Sequence, residues 1–325
     1  MRTKLNANPA INVKHSDEFN RNHWFGLKNK FKQLLAWRPI NRLIIVLLRP
    51  MSDSISWISR LPVNIAQVTV KSDAGEFTMN NPMRCSIAKA IHWGDGLWDF
   101  RDRVGLDLFC LLSAKTNFIL DVGANTGLYS LAAAQVNKGA TIRAYEIVPD
   151  VFDLLNENVR DNRCYHSIHC ELKGIGTPDT TILVPSMAEF SALPSSISIY
   201  SEYQQGAEIE IVALDSIEIP DFVDGRFLIK IDVEGAEYEV LENGTDMLKN
   251  FSPDIICEIL NSSKNVDSIS DLLRDFGYKL FLIKGRSLIQ YSSVVPDPYW
   301  RDWFFTTRPL SSLPSDYEQL TLKEF

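Results

Sequence analysis

The stretch Asn117 to Gly127, NFILDVGANTG, constrains the fold more than any other part of the chain. Its apolar start has the length of a buried strand, Gly123 and Gly127 frame a turn, and LYSLAAAQV follows as an amphipathic helix. Strand, small-residue turn and helix start together make a ligand cradle. Glycine lets backbone approach a bound group, and the first turn of a helix offers N–H groups that have no partner within it. At 19 residues beyond Gly127, the next strand, IRAYEI, carries Glu146 near its end, where an acid can accept hydrogen bonds from the two hydroxyls of a ribose. A bare tight turn is the plain alternative for so short a motif, and Glu146 at this spacing weighs against it.

The turn also discriminates between cofactors. Asp121, Gly123, Asn125 and Gly127 spell DxGxNxG, whereas a dinucleotide fingerprint would be GxGxxG. Asn125 puts a side chain where a pyrophosphate needs bare backbone, and the Asp121 carboxylate would repel phosphate. That carboxylate suits a ligand bearing an amino group and a sulfonium, so the pattern favours S-adenosylmethionine over NAD.

A second segment adds chemistry. In FLIKIDVEGAE the strand Phe227 to Ile231 ends in Asp232, Glu234 and Glu237 around Gly235, ahead of the helical run YEVLENGTDML. Like charges crowded at one strand end raise one another's pKa and are costly unless used. Methyl transfer to a hydroxyl needs a general base, because the proton must leave as the methyl arrives. Asp232 and Glu234 are the candidates, with Glu258 at the end of the next strand, IICEIL, as the third. Two alternatives stay open: Asp232 with Glu258 could hold a divalent ion through hard oxygens, or Asp232 or Glu237 could cap the following helix. A carboxylate pair alone is weak support for a metal, and none is expected.

From residue 117 onward strands and helices alternate, which implies a parallel sheet covered on both faces with ligands at its C-terminal edge. Between Gly176 and Phe227 the strands TTILVP and EIEIVAL bracket the Ser-rich SMAEFSALPSSISIYSEYQQG. Long loops inside compact domains are usually functional or mobile, with a plain surface loop as the alternative. Upstream, VNIAQVTVKSDAGEFTMN forms a hairpin turning at Asp73, Ala74 and Gly75, and IAKAIHWGDGLWDFRDRVGLDLFCLL is helical. Together these make an expected cap over the cofactor mouth. The expected organisation is a basic tail with an amphipathic helix (1–60), a cap (61–115), a catalytic domain (116–310) and a surface extension (311–325).

DVGANTGLYSLAAA, AYEIVPDVFDLLNENV, IVALDSI, FLIKIDVEGAEYEVLENG and PDIICEI, in that order and spacing, resemble the FkbM family of S-adenosylmethionine-dependent methyltransferases over about residues 115–260. The resemblance implies a Rossmann-like class I methyltransferase fold, α/β, with a mostly parallel seven-stranded sheet and helices on both faces. It implies that Asp121, Gly123, Asn125 and Gly127, with Thr126 between them, line the methionine end of the cofactor, and that Glu146, followed by Ile147, holds the ribose. It implies that the segment ahead of the first catalytic strand closes the site, so that Trp93, Asp95, Trp98 and Asp99 touch ligand, with buried packing as the alternative. It implies that the insertion shapes the acceptor pocket, which makes Ser195, Ser196 and Tyr200 substrate candidates, and it implies O-methylation of a hydroxyl on a sugar, glycan or related small metabolite. Two departures stand out: Ile147 and Val148 separate Glu146 from Pro149 where the family has Pro-Asn or a close variant, and the basic N-terminal region has no counterpart in the family core. An NAD-dependent oxidoreductase and a non-catalytic interaction module are the competing classes.

Composition bounds the remaining choices. At 325 residues, 45% of them hydrophobic, the chain can bury a full core. Five scattered cysteines without CxxC indicate neither a disulfide framework nor a zinc knuckle, and five histidines show no HxxxH or HxH ligand spacing. The net charge of −8 divides into +8 on residues 1–60 and −16 on the rest, so an acidic catalytic part argues against a nucleic-acid partner. Within residues 23–51, Trp24, Leu27, Phe31, Leu34 and Leu35 recur at helical spacing among lysines, and RLIIVLL follows Pro39. This cationic, amphipathic pattern fits an anionic membrane surface, or packing on the domain or on a second subunit of a homodimer. The apolar run is far shorter than the ~20 residues of a spanning helix, and no signal peptide is recognisable, so a cytoplasmic protein, peripheral at the inner face of the membrane at most, is expected.

Overall fold

The computed structural model describes residues 38–48, 61–72, 75–98, 100–186, 193, 197, 203–223, 227–312 and 317–321. Helix α1 (Arg38–Leu48) lays Ile44 against the buried pair Val63 and Trp93, on which Leu61 and Ile65 also pack. Strands β1 (Gln67–Ser72) and β2 (Gly75–Asn80) pair antiparallel with Ser72 opposite Gly75, the hairpin that their alternation predicts. The helical run expected to follow is two helices, α2 (Ser86–Trp93) and α3 (Phe100–Ser113). Between them Asp95 and Gly96 both take left-handed backbone, at φ 56° and 92°, which no continuing helix tolerates.

The catalytic part alternates strand and helix as the pattern requires. β3 (Phe118–Val122), α4 (Leu128–Val136), β4 (Thr141–Glu146), α5 (Pro149–Asp161) and β5 (Ile168–Leu172) form the first half. A separate three-stranded sheet interrupts it: β6 (Gly174–Ile175), β7 (Thr180–Val184) and β8 (Ala207–Val212), in the order β6-β8-β7. The main sheet resumes with β9 (Leu228–Ile231), α6 (Glu237–Glu242), α7 (Thr245–Phe251), β10 (Asp254–Glu258), α8 (Val266–Asp275), β11 (Lys279–Lys284), β12 (Ser287–Tyr291), β13 (Asp302–Thr306) and β14 (Glu318–Thr321).

The sheet runs β14-β12-β11-β13-β10-β9-β3-β4-β5. The segment from β5 to β11 has five parallel strands, then β13 inserted antiparallel between β10 and β11. That is the class I methyltransferase arrangement. Among the described residues nine strands stand where seven were expected, because β12 and β14 extend the edge. The segment after residue 310 is therefore more than a surface extension: Glu318 to Thr321 pair in parallel with β12.

Alternate residues of the central strands serve two cores. Ile119, Ile142, Leu228, Ile256 and Phe304 face one side, and Phe118, Leu120, Ile229, Ile255 and Phe305 face the other. A strand such as FILDV is buried along its whole length because helices cover both faces. Fully burying side chains of this size is worth roughly 1.5–3 kcal/mol each, which is why the sheet's centre, not its edge, fixes where the loops emerge. At the far end of β10, buried Asp254 is paired with Arg308 and accepts from the Thr306 hydroxyl at 2.6 Å, tying β10 to β13.

The hairpin does not cover the mouth of the site. It rests on α5: Thr78 N–H donates to Asn162 Oδ1 at 2.9 Å, Asn162 Nδ2 returns a bond to Thr78 O at 2.7 Å, and Asn80 N–H donates to Asn158 Oδ1 at 2.7 Å. Of the expected cap, it is Ile87 on α2 and Trp98 that reach the cavity.

Candidate active site

The order of the sheet reverses between β3 and β9, and a ligand crevice opens at such a point beyond the C-terminal strand ends. A cavity of about 380 Å³ lies there, with Gly123, Asn125, Glu146, Asp232, Glu234 and Glu258 in its wall. The two predicted motifs thus meet in one site. Gly123, at φ 79°, is the point of contact: a Cβ there would collide with the carbonyl oxygen of Asp232. Asn125 and Glu234 also take left-handed backbone, at φ 50° and 56°, one in each loop. Non-glycine residues adopt that region at some cost and tend to do so at functional sites.

On the first side, Glu146 is held by backbone. Its Oε1 accepts from Ile147 N–H at 2.9 Å and Val148 N–H at 2.8 Å, and its Oε2 accepts from Asn125 N–H at 2.8 Å. The carboxylate therefore joins the end of β4 to the turn after β3. Burial pushes its pKa up to about 7 against the downward pull of those three donors. Ile147 and Val148, the residues that separate Glu146 from Pro149, supply two of the three N–H groups and part of the cavity wall.

The other members of the DxGxNxG turn do not reach the cavity. Asp121 is buried behind it, accepting from the Ser130 hydroxyl at 2.5 Å, and burial raises its pKa to about 6. Thr126 is buried as well: its N–H donates to Asn125 Oδ1, and its carbonyl accepts from Asn158 Nδ2, at 2.8 Å each. Gly127, at φ 90°, opens α4, and a Cβ there would sit 2.6 Å from Leu155 Cδ1. Gly123, Asn125, Glu146 and Ile147 therefore face the cavity, while Asp121, Thr126 and Gly127 shape the turn from behind.

On the second side lie the carboxylates. Asp232, Glu234 and Glu258 can each bring one oxygen within 4.8 Å of the others. Glu258 sits 3.6 Å from Arg301, yet burial first and the neighbouring Asp232 second raise its pKa to about 10. Burial and Asp232 likewise raise Glu234 to about 7. Glu237 stands apart, buried, with one carboxylate oxygen accepting from Gly235 N–H at 2.7 Å, so it closes its own loop.

Trp93 does not reach the cavity. It is buried beside Val63 and its indole N–H donates to Leu61 O at 3.1 Å, so it is a packing residue rather than a substrate contact. Ser195, Ser196, Tyr200 and Asp99 lie outside the described residues, though Ile197 of the same insertion lines the cavity. Sequence reasoning passed over Lys230, Arg301 and Asp302, which also line it. A lysine inside the otherwise apolar strand LIKI was the available signal.

A mostly parallel sheet with one inserted antiparallel strand, and a carboxylate-lined cavity at its switch point, define a class I methyltransferase fold. The family model described as the methyltransferase FkbM domain matches residues 121–280, and the chain is a methyltransferase of the FkbM family. Methyltransferase sdnD of Sordaria araneosa is 25% identical over 194 residues, covering 50% of this chain and 74% of that protein. Hexuronic acid methyltransferase AglP of Haloferax volcanii is 27% identical over 198 residues, covering 55% of this chain and 77% of that protein. The crystal structure of methyltransferase FkbM from Methylobacillus flagellatus KT overlaps at 16% identity and a TM-score of 0.41, covering 80% of this chain and 59% of that one. The relatives favour methyl transfer over the oxidoreductase and interaction-module alternatives.

Proposed function

We propose that the protein is an S-adenosylmethionine-dependent O-methyltransferase acting on a hydroxyl of a sugar, glycan or related small metabolite. The observation that carries this reading is the meeting, in one cavity, of Glu146 with the carboxylates of Asp232, Glu234 and Glu258. The residues fit the cofactor. Glu146 has three of its acceptor positions filled by backbone and retains lone pairs for ribose hydroxyls, while Ile147, Val148 and Ile175 give the same wall an apolar surface for a base. The similarity to a hexuronic acid methyltransferase supports a sugar acceptor.

S-adenosylmethionine supplies a methyl group activated by a sulfonium. The chain's part is to align the acceptor behind that methyl and to take its proton, positioning that is worth several kcal/mol. Asp232 would take the hydroxyl proton as the acceptor oxygen is methylated. Asp232, whose side chain is 34% exposed against 18% for Glu258, is the more open of the two to an acceptor in the cavity and is the base of the pair. Transfer of a labelled methyl from S-adenosylmethionine to purified oligosaccharides and to small hydroxylated acceptors tests the reading. Asp232→Asn should lose about 10²–10⁴-fold in kcat with cofactor binding intact. Full activity in that variant would remove Asp232 as base, and absence of cofactor binding by the wild-type chain would overturn the whole reading.

We further propose that α1 rests on an anionic membrane surface. Leu43, Val46 and Leu47 lie on one face of that helix at 58%, 71% and 63% exposure, with Arg42 exposed beside them. Residues 1–60 carry +8 against −16 on the remainder, so charge draws this end toward anionic lipid while repelling the rest. Among the described residues no helix is long and apolar enough to cross a membrane. The chain should float with phosphatidylserine-containing vesicles at low salt and be released by high salt or by combined Leu43→Ser, Val46→Ser and Leu47→Ser. No binding at low salt, or a self-association that the same triple variant abolishes, would overturn the assignment.

A further inference from the structure

We propose that Lys230 is the fixed cation of the acceptor half of the site, a positioning residue that holds Asp232 in place for proton transfer. This rests on the O-methyltransferase reading and deepens it. The Lys230 side chain is 2% exposed, in the middle of β9, yet it borders the cavity. Its ammonium lies 3.7 Å from Asp232 Oδ2 and 3.9 Å from Asp302 Oδ1, and donates to Ile231 O at 3.3 Å. The same Nζ stands 4.9 Å over the ring of Tyr129 on α4. A buried lysine without anionic neighbours would surrender its proton. Here burial pulls its pKa down, but Asp232, Asp302 and Glu258 outweigh it and raise the value, so the charge is permanent.

The surroundings are shaped to keep that charge. Asp302 begins β13, the antiparallel strand, and its register opposite Glu258 brings it to the C-terminal edge of the parallel strands. It is seated against α3 at Gly105, where a Cβ would collide with its carboxylate. A glycine inside a helix costs about 1 kcal/mol relative to alanine; at position 105 it makes room for Asp302. Strand insertion and helix glycine thus converge on Lys230 from separate parts of the chain.

The chemical consequence concerns Asp232. Asp302 takes one side of the ammonium and Asp232 the other, so Asp232 is held in one rotamer at the cavity wall. The titratable and charged groups facing Lys230 are Asp121 on β3, Asp232 after β9, Cys257 and Glu258 on β10, and Asp302 on β13, with Glu234 and Arg301 beyond. A divalent ion could give the same assistance from among the carboxylates; Lys230 already supplies positive charge there, so the reaction should need no added metal.

The test compares Lys230→Met, Lys230→Arg and Gly105→Ala with wild type in acceptor kinetics, in cofactor binding by calorimetry and in thermal melting. Lys230→Met should lose about 10²-fold in kcat while acceptor KM and S-adenosylmethionine affinity stay within about twofold of wild type. Lys230→Arg should recover part of the rate. Gly105→Ala, which displaces Asp302 and leaves the lysine, should lose about tenfold in kcat; it decides the matter if Lys230→Met fails to fold. Wild-type activity should withstand EDTA. An unchanged kcat in a folded Lys230→Met, unaltered kinetics in Gly105→Ala, or loss of wild-type activity in EDTA would each overturn the proposal. Failure of the wild-type chain to bind S-adenosylmethionine would instead overturn the reading beneath it.

Discussion

Replacing Glu146 by Gln sets two effects of similar size against each other and separates them by what is measured. In the native site Oε1 accepts two backbone N–H groups and Oε2 one. A Gln can keep its oxygen toward Ile147 and Val148, which turns its NH₂ toward Asn125 N–H and leaves that buried donor unmet. One charge-assisted bond and one stranded donor cost roughly 2–3 kcal/mol. Against this, burial raises the carboxyl from 4.5 to about 7, so holding it ionised at pH 8 costs the folded state about 3 kcal/mol, which Gln avoids. The two offset, and the melting temperature at pH 8 should stay within a few degrees of wild type. Cofactor binding has no such offset: an acceptor for ribose hydroxyls becomes a donor, a loss of about 1.5–3 kcal/mol, or roughly 10- to 100-fold in Kd. Wild-type affinity should also rise as pH passes upward through about 7, when Glu146 ionises, and the Gln variant should lack that rise. Calorimetry with S-adenosylmethionine at pH 6, 7 and 8 reads both. Affinity within twofold of wild type, or the same pH dependence in the variant, would refute the assignment of Glu146 to the ribose.

Further outcomes follow from individual contacts. Glu234, like Glu146, titrates higher in the folded protein than in the unfolded chain, so its contribution to stability is present below about pH 4.5 and lost as pH rises through about 7. Glu234→Gln should therefore flatten the decline in stability between those limits, measured by urea unfolding; an unchanged slope would show that the group does not titrate there. Asp254→Asn strands Arg308 at a buried partner and should cost about 3–5 kcal/mol, and a change below 1 kcal/mol would mean that the pair does not hold β10 to β13. Asn158→Ala breaks one bond to Asn80 N–H and one to Thr126 O, both buried, and should lower stability by about 2–3 kcal/mol while weakening cofactor binding through the Asn125 turn. Retention of both properties would sever the hairpin from the site.

Local pattern carried much of this molecule. The alternation of apolar strands with helices dictated a parallel sheet, because only a sheet covered on both faces buries a strand such as FILDV from end to end. DxGxNxG and IDVEGAE marked the loops of β3 and β9 because sharp turns and clustered carboxylates leave signatures within ten residues. Trp93 misled, since a tryptophan beside glycines and aspartates carries the same local signal whether it lines a cavity or fills a core. The edge strands β12 and β14 were also illegible, being short and stabilised by pairing partners distant in sequence.

The sequence by itself determined the fold class, the two loops that meet at the switch point, and the identity of Glu146 and Asp232 as the acids at their strand ends. Only the tertiary structure decided which members of the turn face the cavity, and that Lys230, Asp302 and Gly105 belong to one electrostatic unit. Hydrophobic period and turn chemistry are local and can be read along the chain. An ion pair between β9 and β13, seated against a glycine in α3, depends on strand order, and strand order is set by how three distant segments pack.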